Sequence, residues 1–318
     1  AAQLYFAGEM SPTLLEGYFA CPYAGFMKHV LRVKEREEGA VLARDAGDFV
    51  HKVLERMGSA LGELSSEADC RALARNTAIS LMNEARYAAY DDTGASRYAG
   101  ERLIAECERV SCAVYASVHG SAFRIRDREE ELSLPALRMK GKADRVDTAG
   151  DYVRVVDYKT GHFDASATAY YTGRSLQLEL YLLAASVGGR PAGAFYFPAE
   201  DRFTAPEDAK FRMQGFYNSD VADLLDSVAG AKGGLFDGAP SRGLAEAEFK
   251  DFLTYGTLVA DRARREMQAG NVRPSPYEGS CDYCAFRGAC GFTGEPRKEK
   301  GVQAAEIAAV VRGAKEDI

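Results

Sequence analysis

From Ser11 the segment SPTLLEGYFACPYAGFMKHVL carries apolar residues at helical spacing, with Ser11 suited to cap the helix and Pro12 to its first position. The pattern predicts an opening helix that carries Cys21. Helical spacing returns over 44–62, and again over 66–120 as two helices interrupted near DDTGASRYAG, so the stretch from about 52 to 120 reads as a helical insertion. The period then drops to two: strands are expected at about 123–133, 137–147 and 152–158, with AGD at 149–151 as the turn between the last two. SATAYYTGRSLQLELYLLAAS turns helical, AGAFYFPA (192–199) returns as a strand, and 203–217 reads as a further strand or hairpin. An amphipathic helix spans 246–270, and GEPRKEKG reads as a solvated linker before a short terminal helix. The order β-β-β-α-β behind a helical insertion predicts an α/β fold, a mixed central sheet flanked by helices. A division into 1–295 and 296–318 follows from the linker.

With 318 residues, 47% hydrophobic and 27% charged, the chain has the composition of a soluble globular protein with a substantial core. No run of about 18 apolar residues suggests a membrane span. The opening AAQLYFAGEM lacks the basic and apolar regions of a signal peptide, which places the expected location in the cytoplasm. The start without methionine suggests a fragment of a longer chain. A net charge of −7 argues mildly against a nonspecific nucleic-acid coat, yet a site built of carboxylates can make a protein acidic while a local groove stays basic. There is no internal repeat or low-complexity tract. The absence of a G-x-x-x-x-G-K-[ST] loop predicts that the chain does not hydrolyse ATP itself. No serine stands in a nucleophile-elbow context, and His29, His119 and His162 show no metal spacing.

The candidate chemistry lies in two neighbouring strands. MKGKADRVD (139–147) and YVRVVDYK (151–159 with its leading Asp) bring Asp144 and Asp157 toward one another. Residues i and i+2 of a strand share a face, so Asp157 and Lys159 are aligned by the pleat. Taken alone, an Asp and a Lys at a strand end beside Gly161 make an ordinary salt bridge; the second strand changes that reading. Two carboxylates held close do not both stay ionised cheaply unless a cation lies between them. Hard oxygen ligands of that kind suit Mg²⁺ or Mn²⁺. Such a cation polarises a phosphoryl oxygen and acidifies water, while the lysine orients that water or offsets transition-state charge, so phosphodiester hydrolysis is the chemistry indicated. Lys142 and Arg145 flank Asp144 as candidate phosphate contacts, and one of Glu129, Glu130 and Glu131 is placed to join the metal's surroundings.

The series GKADRVD, VVDYKTG and SLQLELYLLA resembles the PD-(D/E)xK nuclease superfamily, specifically its RecB-type branch with the motifs G-x-x-D-R-x-D, D-Y-K-T-G and Q-x-x-x-Y. Upstream, GDFVHKVLE (47–55) resembles the branch's G-x-x-x-H-x-x-L-E helix. The resemblance implies a restriction-endonuclease-like core and a metal site of His51, Asp144 and Asp157. It also implies Lys159 as the catalytic lysine, with Gln177 and Tyr181, four apart on one helix face, positioning the substrate strand.

Seven cysteines without a secretion signal favour metal binding or burial over disulfides. Cys70, Cys107 and Cys112 fall in helical patterns and read as buried thiols. Cys281, Cys284 and Cys290 follow a C-x₂-C-x₅-C spacing that lets three thiolates converge, with no fourth ligand nearby. From spacing alone, structural zinc and an iron–sulfur centre are both open. The Cys-Pro context of Cys21 resembles the lone N-terminal cysteine of the iron–sulfur nucleases of this branch, which implies a 4Fe–4S cluster held by Cys21, Cys281, Cys284 and Cys290 as a clasp.

The length of the insertion and the first-and-last cysteine arrangement resemble most the C-terminal nuclease domain of AddB-type helicase–nuclease subunits. That implies a deoxyribonuclease, an exonuclease rather than an endonuclease, acting on single-stranded or unwound DNA ends beside a helicase partner in double-strand break repair. A free-standing exonuclease of the CRISPR-adaptation type shares these motifs but is usually shorter. A catalytically silent DNA-binding scaffold is the other alternative, against which stands the intact Asp144, Asp157 and Lys159 set.

Overall fold

A computed structural model of the chain describes residues 1–5, 9–34, 43–58, 60–199, 211–227, 234–236 and 242–316. Helix α1 (Pro12–Ala20) opens as expected, with Ser11 Oγ accepting the Leu14 N–H at 3.2 Å. It does not run on through Cys21. Pro22 disfavours helical geometry in the residue before it, and Cys21 is extended (φ −163, ψ 118); the chain resumes as two short turns, Pro22–Gly25 and Phe26–Val30. Helix α2 (Ala43–Met57) stops at Gly58, whose φ is +43, short of the expected end at 62. Helices α3 (Glu67–Met82) and α4 (Gly94–His119) follow, capped by Ser66 and by a Thr93–Ser96 capping box, so the expected interruption falls on 83–93.

Strands β1 (Arg124–Leu134), β2 (Met139–Ala149) and β3 (Tyr152–Lys159) form an antiparallel meander. Strand β4 (Arg190–Pro198) then joins β3 in parallel. A parallel neighbour requires a crossover, and the chain between them supplies it in two helices where the sequence pattern indicated one: α5 (Ala167–Tyr171) and α6 (Gln177–Ala185). The break contains Gly173 at φ +82, where a Cβ would also lie 2.4 Å from the Phe19 ring. Strand β5 (Gln214–Asn218) pairs antiparallel with β4, and the two-residue β6 (Gly243–Leu244), which the pattern did not signal, pairs parallel with β5. Of the strand or hairpin expected over 203–217, residues 203–210 lie outside the described residues. Helices α7 (Glu246–Gln268) and α8 (Ala304–Glu316) complete the chain.

The six strands lie in sequence order, β1 to β6, and the pleat sorts their side chains into two apolar layers. Val153, Val155, Ala194 and Tyr196 pack with α1, α6, α7 and α8, including Leu15, Leu180, Phe252 and Ile307. The alternate residues Val156, Tyr158, Phe195 and Phe197 pack with α2, α3 and α4, including Phe49, Val53, Ala74 and Val114. The helices before the sheet therefore cover one of its faces. The sheet is mixed and enclosed by helices on both sides, as the α/β reading required.

Candidate active site

The β2–β3 ladder ends at Arg145 opposite Val156. One step further the same register sets Asp144 opposite Asp157, and there the strands part. Asp144 Oδ2 accepts the Tyr158 N–H at 2.8 Å, satisfying with a carboxylate a donor that has lost its strand partner. Across the other edge of β2 the β1 register skips the position where Glu129 would face Asp144, and Glu129 has φ +52. A non-glycine residue in that region costs about 1–3 kcal/mol. Glu129, Asp144 and Asp157 thus stand level on three neighbouring strands. Glu129 Oε2 lies 2.5 Å from Lys142 Nζ, and of the acidic run it is the member that lines the recess beside Asp144.

Helix α2 brings His51 to this fork, Nδ1 3.4 Å from Asp144 Oδ2. Its approach depends on Gly47, where a Cβ would lie 2.6 Å from Thr160 Oγ1. From the other face, Gln177 Nε2 donates to Asp157 Oδ1 at 2.7 Å, and Lys159 Nζ lies 2.6 Å from Asp157 Oδ2. That last contact is an ion pair, and apart from the Lys159 ammonium the buried Asp157 Oδ2 has no donor among the described residues. Tyr181 lies one helical turn from Gln177, its hydroxyl accepting the Lys142 N–H at 3.2 Å. This contact needs Gly141, since a Cβ there would fall 2.5 Å from the Tyr181 ring. A shallow open recess is walled by His51, Leu54, Glu55, Glu129, Asp144 and Tyr158 among others.

The electrostatics follow from crowding. Burial, then the charge of Asp157, push the Asp144 carboxyl up to about 8, against the pull of the Tyr158 N–H and Lys159. Burial lowers the His51 imidazole. Burial works against the Lys159 ammonium, but the Asp157 charge and contact outweigh it and the net shift is upward. The Lys159 ammonium offsets one charge of an ionised pair of acids here, and the second charge is what a hard divalent ion would satisfy. The donor types are ones that suit Mg²⁺ or Mn²⁺, and His51, Asp144 and Asp157 are the residues that could hold such an ion. Among the described residues, however, no group of three or more His, Cys, Asp or Glu side chains is drawn into a ready metal-holding arrangement.

Arg145 does not face a phosphate. It is fully buried, donating to Asp147 Oδ2 at 2.9 Å and to the Tyr158 hydroxyl at 3.1 Å, and Arg154 binds the same Asp147 oxygen at 2.7 Å. The pleat turns it away from Asp144, and a charge buried with partners forms part of the scaffold. One residue that the sequence did not single out, Glu16 of α1, accepts the N–H groups of Leu176 and Gln177 at 2.7 and 2.9 Å. Its signal was a lone acid within an otherwise uncharged helix, PTLLEGYFA.

Cys70, Cys107 and Cys112 are buried free thiols, while Cys21, Cys281, Cys284 and Cys290 are free and only partly buried. Burial, then the neighbouring Cys284, Cys21 and Cys290, raise the Cys281 thiol, which places the four near one another, although no three of them form a ready metal-holding group among the described residues. Backbone contacts bring the chain's two ends together there. Tyr277 N–H donates to Ala20 O at 3.3 Å, and Arg297 Nη2 donates to Phe19 O at 2.5 Å and Ala20 O at 3.3 Å. Four soft donors suit an iron–sulfur centre or zinc equally.

Residues 9–291 match the family model described as the PD-(D/E)XK nuclease superfamily. Among curated proteins, the chain is similar to the B subunit of the ATP-dependent helicase/deoxyribonuclease of Lachnoclostridium phytofermentans, at 28% identity, and to that of Desulforudis audaxviator, at 29%. The corresponding protein of Desulforamulus reducens is 26% identical. The first two alignments cover 89% of this chain and 29% of the relative, so the chain spans about three tenths of the length of the relatives it matches. No described helix is long and apolar enough to cross a membrane.

Proposed function

The chain belongs to the PD-(D/E)XK nuclease superfamily, and from that premise we propose that it is a Mg²⁺- or Mn²⁺-dependent deoxyribonuclease, the nuclease part of a helicase–nuclease subunit. Its substrate would be single-stranded or unwound DNA ends at double-strand breaks, cut as an exonuclease while a separate motor feeds the strand. The observation that carries this reading is the fork at Asp144 and Asp157, two carboxylates on neighbouring strands with the Lys159 ammonium paired to one of them. A divalent cation held by His51, Asp144 and Asp157 would supply Lewis acidity toward a phosphoryl oxygen and lower the pKa of water. Lys159, tethered to Asp157, offsets negative charge where the phosphate would lie. Gln177 fixes the Asp157 carboxylate through Oδ1, and Lys159 pairs with its Oδ2. Tyr181 braces β2 at Lys142, two residues from Asp144.

The helicase/deoxyribonuclease relatives support the helicase partner. The convergence of Cys21 with Cys281, Cys284 and Cys290 supports a four-thiolate clasp, read as a 4Fe–4S cluster from the resemblance of its cysteine spacing. The decisive experiment is cleavage of end-labelled single-stranded DNA in Mg²⁺ or Mn²⁺ by the chain and by Asp157→Ala. Cleavage that disappears in the variant supports the reading. A folded, metal-binding chain that leaves the DNA intact, alone and with a helicase partner, would reject it in favour of a scaffold.

A further inference from the structure

Helix α6 begins without a cap of its own: its N-cap residue is Leu176, which has no side-chain acceptor. The first N–H groups of a helix need partners from elsewhere, and here a residue 160 positions away provides them. Glu16 Oε1 accepts both Leu176 N–H and Gln177 N–H, and because burial pushes its carboxyl up to about 7 it acts there as a hydrogen-bond acceptor rather than as a full charge. Gln177 is the residue whose side chain holds Asp157 Oδ1. Glu16 therefore grips the backbone of the residue that orients the candidate metal ligand.

The other end of α1 belongs to the clasp. Cys21 terminates the helix, five residues after Glu16, and its N–H closes the last turn on Gly17 O at 3.1 Å. The carbonyls of Phe19 and Ala20 are held by Arg297 and Tyr277, which flank the three C-terminal cysteines. At 1.5 Å per residue, α1 is a rigid strut of about 8 Å between Glu16 and Cys21. A continuous series of contacts runs from the cysteines through α1 and Glu16 to Gln177 and Asp157.

We propose that Glu16 is a positioning residue that transmits closure of the cysteine clasp to Asp157, so that the metal site is correctly formed only when both ends of the chain are clasped. The proposal rests on the nuclease reading for its metal, but not for its mechanical part. Opening the clasp frees the last turn of α1, Glu16 slackens its hold on α6, and Gln177 no longer fixes Asp157.

The test compares the chain with Glu16→Gln, Glu16→Ala, Cys21→Ser and the Glu16→Ala/Cys21→Ser double variant. Two quantities are read: amide hydrogen exchange in the segment 174–182, and Mn²⁺ affinity by calorimetry. Glu16→Ala is expected to speed exchange at Leu176 and Gln177 at least about tenfold and to weaken Mn²⁺ binding on the order of tenfold, the range for loss of an outer-shell partner. Glu16→Gln keeps an acceptor oxygen without charge and should fall between, so it decides the matter if the alanine variant does not fold. Cys21→Ser should reproduce both changes, and the double variant should be no worse than the more affected single, because residues acting in series are not additive. Exchange and affinity within twofold of the unsubstituted chain in both Glu16 variants would overturn the positioning role. Additive losses would overturn the link to the clasp. An unsubstituted chain that binds no Mn²⁺ would instead defeat the nuclease reading, and the exchange data alone would still decide the coupling.

Discussion

Behind the Asp144–Asp157 fork, the most demanding residue is Asp147. Both guanidinium groups that bind it, Arg145 and Arg154, are fully buried, and the single oxygen Oδ2 accepts from both. Burial raises the Asp147 carboxyl, but the two neighbouring guanidinium charges and their hydrogen bonds prevail and hold it below its usual range. Removing the only anion from such a group strands two cations in a dry layer, which costs about 3–5 kcal/mol. Asp147→Asn is expected to lose that much in a denaturant melt, far more than a typical surface change. Glu179 shows the reverse balance. It is fully enclosed in α6, burial pushes its carboxyl up to about 8, and its Oε2 has no partner among the described residues. Between the ordinary glutamate value near 4.5 and about 8, the folded chain holds a proton that the unfolded chain has released. Stability from this group is therefore fully present below that window and is lost as pH rises through it. Glu179→Gln should remove the loss: thermal melts at pH 5 and pH 8 should show the unsubstituted chain falling more than the variant, and parallel falls would refute the account.

At the scale of elements, the site is a matter of how closely β2, α2 and α6 approach. Gly141 is where β2 meets the Tyr181 ring, and a methyl group there would overlap it at 2.5 Å. Gly141→Ala must move either the strand or the helix, and each carries one side of the fork, Asp144 or Gln177. The expected result is a drop in DNA cleavage on the order of a hundredfold, the scale of a roughly 1 Å misplacement, with far-ultraviolet circular dichroism unchanged; full activity would show that the contact is dispensable. Much of this architecture was legible beforehand. Alternating and short apolar runs located β1 to β4, the continuous run of β4 reflecting burial on both faces, and the i, i+2 rule paired Asp157 with Lys159. What escaped was whatever depends on contacts remote in sequence. Gly173 splits the expected helix because Phe19 presses on it from α1. Glu16 caps a helix 160 residues later. Arg145 looked available to phosphate because its position next to Asp144 says nothing about which layer the pleat turns it into. The short β6 has only two residues, too few to show a period.

For the whole molecule, the proposed clasp would set what the two ends contribute. Cys21 and Cys281 are 281 − 21 = 260 positions apart, and joining them closes nearly the entire described chain into one loop. The entropy removed from the unfolded chain by a cross-link of that span is worth on the order of 5 kcal/mol, a large share of the 5–15 kcal/mol by which proteins are ordinarily stable. Hydrogen bonds from Tyr277 and Arg297 to Phe19 and Ala20 hold the same ends, each worth about 1–3 kcal/mol, the larger figure for the charged guanidinium. If the four thiols bind one iron–sulfur centre, Cys284→Ala should lower the melting temperature by several degrees and abolish visible absorption together. Loss of colour with an unchanged melting temperature would mean that the hydrogen bonds suffice and that the centre serves another purpose. A lower melting temperature in a colourless chain that retains stoichiometric zinc before substitution would keep the clasp but change its metal. A clasp that stabilises the chain in this way also constrains α1, so the same substitution should weaken Mn²⁺ binding at a site on the far side of that helix.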